Sequence, residues 1–431
     1  MRSGLTRREL LLLLGNAALA VPLLGSNAWS SDQRPPGMSR TDEEMLDDIE
    51  RTGFAFFWEQ ASPNTGQVKD RALAGGGDTR RMSSIAATGF GLATLCIADA
   101  RGYRPSQQIR GRVRKTLKWL AEKARHQHGF FFHFFDMETG EPARNTEVSS
   151  IDTSILLCGV LTCRQHFRDP EIVDFATRIY ERVEWPWMLN GGDTFSMGWR
   201  PATGFIATRW DTYSELMMLY LLAVGSPSHP IPANLWNNFK RPLIDYEGLR
   251  YVSTRAPLFI HQYSHAFFDF RNQHDKYANY FENSVNATRA HKKFCLSLKA
   301  RFPDYSEDLW GITSSDSAHG YVAWGGPPEM GPIDGSIVPS AAGGSLPFLP
   351  DECIDVLRAV RRRFGPKVWK RYGYADAFNP VNGWMDADVV GINVGIMVLM
   401  AENLRSGLIW KTFMANPEAH QAMEKVGFVR A

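Results

Sequence analysis

The feature that most restricts the fold of this chain is a succession of apolar stretches with helical spacing, separated by loops rich in Pro and Gly. Strand-like alternation is scarce, and its best examples are "GLRYVST" (248–254) and "PLFIHQY" (257–263). The pattern therefore predicts an all-α protein. The predicted helices are 41–60, 83–100, 107–124, 151–166, 171–183, 213–223, 287–298, 351–364, 394–405 and 417–426.

Roughly a dozen helices in one chain fit either an α-solenoid or a closed toroid of helical hairpins. A solenoid usually shows a repeat period, and this sequence has none. We therefore expect an (α/α)6 barrel, with long loops at one end that form the functional site. A notable Pro/Gly-rich loop between the predicted helices is "WGGPPEMGPIDGSIVPSAAGGSLPFLP" (324–350).

The N-terminus has the pattern of an export signal. Arg7 and Arg8 precede an apolar stretch, and "TRREL" resembles the twin-arginine motif. We predict an export signal over 1–30, a linker over 31–40 and a single domain over 41–431. The protein would then be periplasmic or otherwise exported, with the twin-arginine machinery as a partner and no stable membrane span after signal cleavage. An uncleaved membrane anchor is the alternative, but Gly15, Asn16 and Pro22 interrupt the apolar stretch.

Charge and cysteine content exclude several classes of protein. The net charge is +2, so no nucleic-acid surface is indicated. The five Cys form no C-x-x-C pair, and most lie among apolar residues. This favours buried free thiols over a disulfide framework or a zinc site of that type.

Two acids precede the helix predicted over 151–166. In "NTEVSSIDTSILLCG", Ser149 and Asp152 have the spacing of a capping box, and an acid in the first turn suits the helix dipole. Capping explains Asp152 but leaves Glu147, which would lie before the cap, without a structural role. Glu147 is therefore a candidate for chemistry.

"RWDTYSELMMLYLL" repeats this arrangement. Thr212 and Glu215 fit a capping box, so Glu215 has a purely structural interpretation. Trp210, Tyr213 and the apolar residues that follow could instead desolvate its carboxyl group, raise its pKa and suit it to general acid catalysis. From spacing alone the two interpretations are equally good.

Other loops combine acids with aromatic residues. "SSDSAHGYVAWGGPP" contains Asp316, Tyr321 and Trp324, and "DAFNPVNGWMDADVVGIN" contains Trp384, Asp386 and Asp388. The structural alternative for the second loop is a turn whose Asp and Asn side chains form hydrogen bonds within the turn.

Two His-containing motifs favour structural roles. His261 and His265, with Gln262 between them, lack an obvious third metal ligand, so hydrogen bonds to sugar or protein are favoured. For "GFFFHFFDMETG", with His133, an aromatic core edge is favoured.

No nucleophile elbow, Walker loop or H-E-x-x-H motif is present. Paired carboxylates among aromatic residues indicate glycoside hydrolysis instead.

The chain resembles the bacterial glucoamylase-like domain family, which includes the endo-β-1,2-glucanases of glycoside hydrolase family 144. The similarity extends from about Met45 to the C-terminus. The motifs that resemble the family are "FAFFWEQASPNTGQVKDR", "SIAATGFGLATLCIA", "TEVSSIDTSILLCG", "HQYSHAFFDFR", "YFENSVNATRAH", "YVAWGGPP", "SLPFLP" and "DAFNP".

The resemblance implies an (α/α)6 barrel and endo-acting, inverting hydrolysis of β-1,2-glucan by two carboxylates, without a metal or organic cofactor. An exo-acting or glycosyl-transferring relative on the same glucan is one alternative. A non-catalytic glycan-binding envelope protein is another.

The resemblance also assigns roles to residues. Glu147 and Asp152 match the acids of "EVSSIDT", and Glu215 matches the acid after W-x-x-Y-S. Glu215 is then the general acid, Glu147 or Asp388 the base, and Asp152 an orienting or capping residue. Related sequences often have Asp at the position of Asn393. The expected sugar-contacting residues are Trp210, Tyr213, His261, Gln262, His265, Trp324 and Trp384.

Overall fold

The computed structural model describes residues 38–143 and 145–431. The predicted export signal and most of the predicted linker lie outside the described residues. The described part of the linker, from Met38, leads directly into the first helix, which begins at Arg40.

The described residues are mainly helical, in fourteen α-helices: α1 Arg40–Glu59, α2 Ile85–Ala100, α3 Ser106–Glu122, α4 Ser150–Phe167, α5 Pro170–Glu181, α6 Trp185–Leu189, α7 Met217–Gly225, α8 Tyr263–Phe267, α9 Tyr280–Ser297, α10 Pro339–Gly343, α11 Pro350–Phe364, α12 Gly391–Arg405, α13 Leu408–Met414 and α14 Pro417–Lys425. All ten predicted helices are present. The short helices α6, α8, α10 and α13 were not predicted, because five to seven residues show too little periodicity.

The helices form two layers. Six inner helices are buried along nearly their whole length: α2, α4, α7, α8, α10 and α12. Six outer helices bury one face only: α1, α3, α5, α9, α11 and α14. A helix that is apolar on all sides must be surrounded by protein, whereas an amphipathic helix covers it from outside. This arrangement confirms the predicted all-α (α/α)6 barrel.

The inner helices α2 and α4 approach each other at two glycines. A Cβ atom on Gly159 would lie 2.0 Å from the carbonyl oxygen of Gly89, and one on Gly89 would lie 2.5 Å from the carbonyl oxygen of Ile155. Only hydrogen at these positions allows the two backbones to touch. The contact packs the first half of α2 against the middle of α4.

Short strands connect the helices: β1 Arg71–Leu73, β2 Met82–Ser84, β3 His126–Gln127, β4 Phe130–Phe131, β5 Phe134–Asp136, β6 Val148–Ser149, β7 Phe195–Ser196, β8 Gly198–Arg200, β9 Gly204–Phe205, β10 Arg209–Trp210, β11 Leu243–Tyr246, β12 Leu249–Val252, β13 Gln273–His274, β14 Trp369–Lys370, β15 Gly373–Tyr374, β16 Phe378–Asn379, β17 Trp384–Met385, β18 Asp388–Val390 and β19 Val429–Arg430. "GLRYVST" does contain strand β12, which pairs with β11. The strand predicted for "PLFIHQY" is wrong, because Leu258–His261 is a 3-10 helix.

Strand β1 pairs antiparallel with β18, although more than three hundred residues separate them. Strand β6 pairs with β8, and β2 pairs with β5. Each of β2, β6 and β18 leads directly into an inner helix. These pairings therefore fix the loops at the N-terminal ends of α2, α4 and α12.

All five Cys are buried free thiols, as predicted. Among the described residues, no single helix has the length and hydropathy of a membrane span. A bent pair, α12 with α13, meets those criteria by length and composition alone.

Candidate active site

The predicted acids converge at the N-terminal ends of the inner helices. Asp152 lies in the first turn of α4, Glu215 lies two residues before α7, and Asp388 begins β18, which leads into α12. Tyr263 is the first residue of α8. The closed barrel therefore gathers side chains that are distant in sequence.

His133 bridges the two acids of the α4 entrance. Its Nδ1 lies 3.1 Å from Oε1 of Glu147, and its Nε2 lies 3.4 Å from Oδ1 of Asp152. The imidazole stacks on Phe134 with ring centroids 3.7 Å apart. On the solvent side, Nη2 of Arg200 approaches Oε2 of Glu147 at 3.5 Å. Glu147 and Asp152 thus lie on either side of one imidazole ring.

These contacts shift the pKa of both His133 and Glu147. Burial alone would lower the pKa of His133, but the carboxylates of Asp152 and Glu147 raise it above its ordinary value. The hydrogen bond from His133 lowers the pKa of Glu147, against the opposing effect of its partial burial. The geometry therefore favours an imidazolium beside an ionised Glu147.

Asp152 also has the capping role expected from its spacing. Ser149 is the N-cap of α4, and its Oγ accepts a hydrogen bond from the backbone N–H of Asp152 at 3.2 Å. The Ser149 hydroxyl in turn donates to the Asp152 carboxylate. The cap fixes the side chain of Asp152 toward His133.

The capping interpretation of Glu215 is wrong. Helix α7 begins at Met217, and its N-cap, Leu216, makes no side-chain capping hydrogen bond. Glu215 lies in the preceding turn and is 9% exposed. Burial raises the pKa of Glu215 to about 7, and the charge of Asp152 contributes in the same direction. A buried carboxyl group that holds its proton near neutral pH can serve as a general acid.

Two hydrogen bonds position the segment around Glu215. The hydroxyl of Ser264, on α8, donates to the backbone carbonyl of Glu215 at 2.7 Å. The indole N–H of Trp210 donates to Oγ of Ser150, the first residue of α4, at 2.9 Å. The turn that bears Glu215 is thereby attached to both neighbouring inner helices.

A second group of carboxylates shares an electrostatic neighbour, Tyr263, with Glu215. Burial raises the pKa of Tyr263 well above its usual range, and the charges of Tyr321, Glu215, Asp376 and Asp152 contribute. Asp376 and its neighbours Asp316 and Asp386 are all buried. The phenol of Tyr263 is therefore influenced by both groups of acids.

Arginines pair with the acids at the edge of this second group. Arg71 donates to both oxygens of Asp316 at 2.7 and 2.6 Å. Arg80 donates to both oxygens of Asp388 at 2.6 and 2.7 Å. A cavity of about 550 Å³, lined in part by Asp70 and these two arginines, lies beside the ion pairs. Its size is typical of small-ligand sites.

Several predicted sugar-contacting residues are fully buried. The phenol of Tyr213 contacts Nδ1 of His261 at 3.1 Å, and Gln262 donates to the backbone carbonyl of Ala341. His265 is also buried, and burial lowers the pKa of both histidines to about 3. These residues lie in the packing beneath the site. Their partners are protein groups.

The predicted Trp residues differ in exposure. Trp324 is 1% exposed and its indole donates to Oγ of Ser315 at 3.2 Å. Trp210 is also buried, whereas Trp384 is only half-buried, in β17. Of the predicted Trp contacts, Trp384 alone presents substantial surface.

Sequence reasoning missed several residues of the site. The aromatic motif around His133 favours a core edge, and no sequence feature distinguishes Tyr263. The same is true of Asp376, Arg71 and Arg80. The signals available were the polar residues inside aromatic motifs, such as His133 in "GFFFHFFD".

The family comparison matches the C-terminal half of the chain. Residues 207–417 match the Glycoamylase family, described as "Putative glucoamylase". This segment begins just before Glu215 and includes Tyr263 and the second acid group.

Residues 207–417 of this chain belong to the glucoamylase-like family.

Similarity to individual proteins extends over nearly the whole chain. This chain is 28% identical over 429 residues to an exo β-1,2-glucooligosaccharide sophorohydrolase (non-reducing end) of Parabacteroides distasonis. That match includes 90% of this chain, and the chain spans 58% of the length of that relative.

Solved structures extend the comparison to the fold. An endo-β-1,2-glucanase from Chitinophaga pinensis, in complex with sophorotriose and glucose, is 28% identical, with a TM-score of 0.83 over 91% of this chain and 99% of the other. A β-1,2-glucanase from Parabacteroides distasonis is 27% identical, with a TM-score of 0.83 over 90% of this chain and 60% of the other. The names of these three relatives each specify an activity on β-1,2-linked glucans or glucooligosaccharides.

Proposed function

We propose that this protein is a glycoside hydrolase that cleaves β-1,2-glucan. The observation on which the proposal depends is Glu215, a buried carboxyl group whose pKa is raised to about 7 by burial and by Asp152. Asp152 in turn contacts His133, which pairs with the ionised Glu147. One protonated and one ionised carboxyl group are the two parts that glycoside hydrolysis requires. The β-1,2-linkage is supported by the activities named for the homologues.

Glu215 donates its proton to the glycosidic oxygen in this mechanism. Glu147 is favoured over Asp388 as the base that activates water. Both oxygens of Asp388 accept hydrogen bonds from Arg80. Glu147 is partly exposed, and the nearest guanidinium nitrogen of Arg200 lies at the longer distance of 3.5 Å from its carboxylate. Asp152 orients His133, which keeps Glu147 ionised. Attack by water on the face opposite the leaving group would invert the anomeric centre.

Substitution of the two carboxyl groups tests these roles. Glu215→Gln and Glu147→Gln should each lower kcat on β-1,2-glucan by about 100-fold or more, because each removes a proton-transfer step. Asp388→Asn should reduce activity less if Asp388 only anchors Arg80. Circular dichroism and thermal unfolding would establish that each variant is folded. A folded Glu215→Gln protein with wild-type activity would refute the assignment of the general acid.

Endo-cleavage is the form of the activity that we propose, and exo-release of a disaccharide is the second candidate. The Chitinophaga relative is named as an endo-enzyme and the Parabacteroides relative as an exo-enzyme. Product chromatography after a brief digestion of linear β-1,2-glucan distinguishes them, with starch and β-1,3-glucan as controls. A ladder of oligosaccharides supports endo-cleavage, and sophorose alone supports the exo-enzyme. No product from β-1,2-glucan would refute the proposed substrate.

We also propose export by the twin-arginine route, supported by the sequence of residues 1–30. The test is cell fractionation of the full chain and of a variant with Arg7→Lys and Arg8→Lys. Wild-type protein should appear outside the cytoplasm, and the variant should remain inside. Equal distribution of the two proteins would contradict this route.

A further inference from the structure

Three buried carboxyl groups from separate segments of the chain meet in one cluster. Asp316, Asp376 and Asp386 each offer one oxygen, and these three oxygens lie within 4.8 Å of one another. The residues are 7%, 5% and 7% exposed, respectively. The fold thus brings three acids together in a place where water cannot screen their charges well.

The charges of this group are not balanced by the surrounding protein. Arg71 pairs with Asp316 through both carboxylate oxygens. Asp376 accepts hydrogen bonds from neutral groups, the Asn393 amide at 2.7 Å and the backbone N–H of Asp316 at 2.8 Å. Oδ1 of Asp386 accepts from a neutral group, the backbone N–H of Asp388, at 3.1 Å. Within 38–143 and 145–431, no ion pair is found for Asp376 or Asp386.

One oxygen of the group also lacks a hydrogen-bond partner. Oδ2 of Asp386 is buried and contacts no donor among the described residues. A buried carboxylate oxygen without a partner is costly, and native proteins satisfy such atoms with a ligand, water or ion. This orphaned oxygen is an observation separate from the clustering of the acids.

We propose that Asp316, Asp376 and Asp386 bind a calcium ion. The two uncompensated carboxylates supply a charge that matches one divalent cation. The donors are all oxygens, which favours a hard cation over zinc, copper or iron. Oxygens that share one Ca²⁺ at about 2.3–2.6 Å lie no more than about 5 Å apart, and these three oxygens lie within that limit. Calcium accepts irregular oxygen sites more readily than magnesium, which needs near-ideal octahedral geometry.

The ion would connect three parts of the chain. Asp316 lies in the loop before Trp324, Asp376 precedes β16, and Asp386 lies between β17 and β18. It would therefore fix strand β17, which bears Trp384, and strand β18, which begins at Asp388. This inference departs from the sequence-based expectation of a metal-free enzyme, and it is independent of the proposed hydrolysis.

Protons are the alternative to calcium at this site. Burial raises the pKa of Asp376 to about 7 and that of Asp386 to about 6, and the neighbouring acids add to both shifts. Ca²⁺ must displace these protons, so its affinity should be higher at about pH 8 than at about pH 5.5. The other titratable or charged groups around the pair are Asp316, Asp388, Arg71, Arg80, Tyr263 and Tyr321.

The test is calorimetric titration of CaCl₂ into the chelator-treated, desalted protein at about pH 8, with thermal unfolding in parallel. Wild-type protein should show saturable heat and a rise in Tm of about 2–5 °C at about 5 mM Ca²⁺. Asp386→Asn keeps the shape of the side chain and removes its charge, so it should lose both responses. Glu424→Gln, at an exposed position on α14, should retain them.

Three results would overturn the proposal. They are the absence of heat and of a Tm shift in the wild-type protein, an equal Ca²⁺ response in Asp386→Asn, or an equal response with Mg²⁺. Asp376→Asn provides a second variant if Asp386→Asn does not fold. None of these readouts depends on glucan hydrolysis, so failure of the proposed function would leave this test unaffected.

Discussion

The buried carboxyl group of Glu215 should make the protein less stable as the pH rises, and Glu215→Gln should remove that effect. The ordinary pKa of 4.5 applies to the unfolded chain, and burial raises the pKa of the folded protein to about 7. A group whose pKa is raised by folding stabilises the folded state fully below its unfolded pKa. That contribution is lost as the pH rises through the folded pKa.

The size of the effect follows from the shift. The folded and unfolded pKa values differ by about 2.5 units, from 4.5 to about 7. At about 1.36 kcal/mol per unit, the wild-type protein loses about 3 kcal/mol of unfolding free energy between about pH 4 and about pH 8 through this one group. The Gln side chain has nearly the same shape as that of Glu and does not titrate. The variant should therefore gain about 3 kcal/mol relative to wild type over that range.

Urea unfolding of both proteins at several pH values measures this difference. The quantity to plot is the unfolding free energy of the variant minus that of wild type, because other titrating groups largely cancel in it. Glu424→Gln is the matched control, since it makes the same chemical change at an exposed helix position. Its difference from wild type should stay nearly constant with pH.

A pH-independent difference for Glu215→Gln would refute the reasoning. It would mean that the carboxyl group of Glu215 titrates alike in the folded and unfolded protein. The same result would remove the basis for Glu215 as a proton donor near neutral pH. A difference of opposite sign would indicate that a cation stabilises the ionised form in solution.

Three further predictions concern catalysis and packing. The pH profile of kcat should fall about tenfold per unit above about pH 7, where Glu215 loses its proton; a flat profile to about pH 9 would contradict this. His133→Asn should move the acidic limb of kcat/KM to higher pH, because Glu147 loses the hydrogen bond that lowers its pKa; an unmoved limb would show that His133 has only a packing role. Gly159→Ala should cost about 3 kcal/mol or more of unfolding free energy in urea, because its Cβ would lie 2.0 Å from the carbonyl oxygen of Gly89; wild-type stability would contradict the close contact.

The local pattern of the sequence was enough to predict the helices and the acids at their ends. Apolar spacing identified the long helices, because that spacing is set within one or two turns. The Ser149 cap and the position of Asp152 are equally local. Where a local signal was misleading, as for Glu215, the helix began later than its capping pattern indicated.

Only the tertiary structure decided which side chains are partners and which are buried. His133 contacts Glu147 because strand pairing folds its segment back on the entrance of α4. His261 and its neighbours lie in the packing, although their sequence is equally suited to an exposed sugar site. The Asp316, Asp376 and Asp386 group joins residues seventy positions apart. Periodicity is a property of one segment, whereas burial, pKa and ion pairing depend on what other segments place beside it.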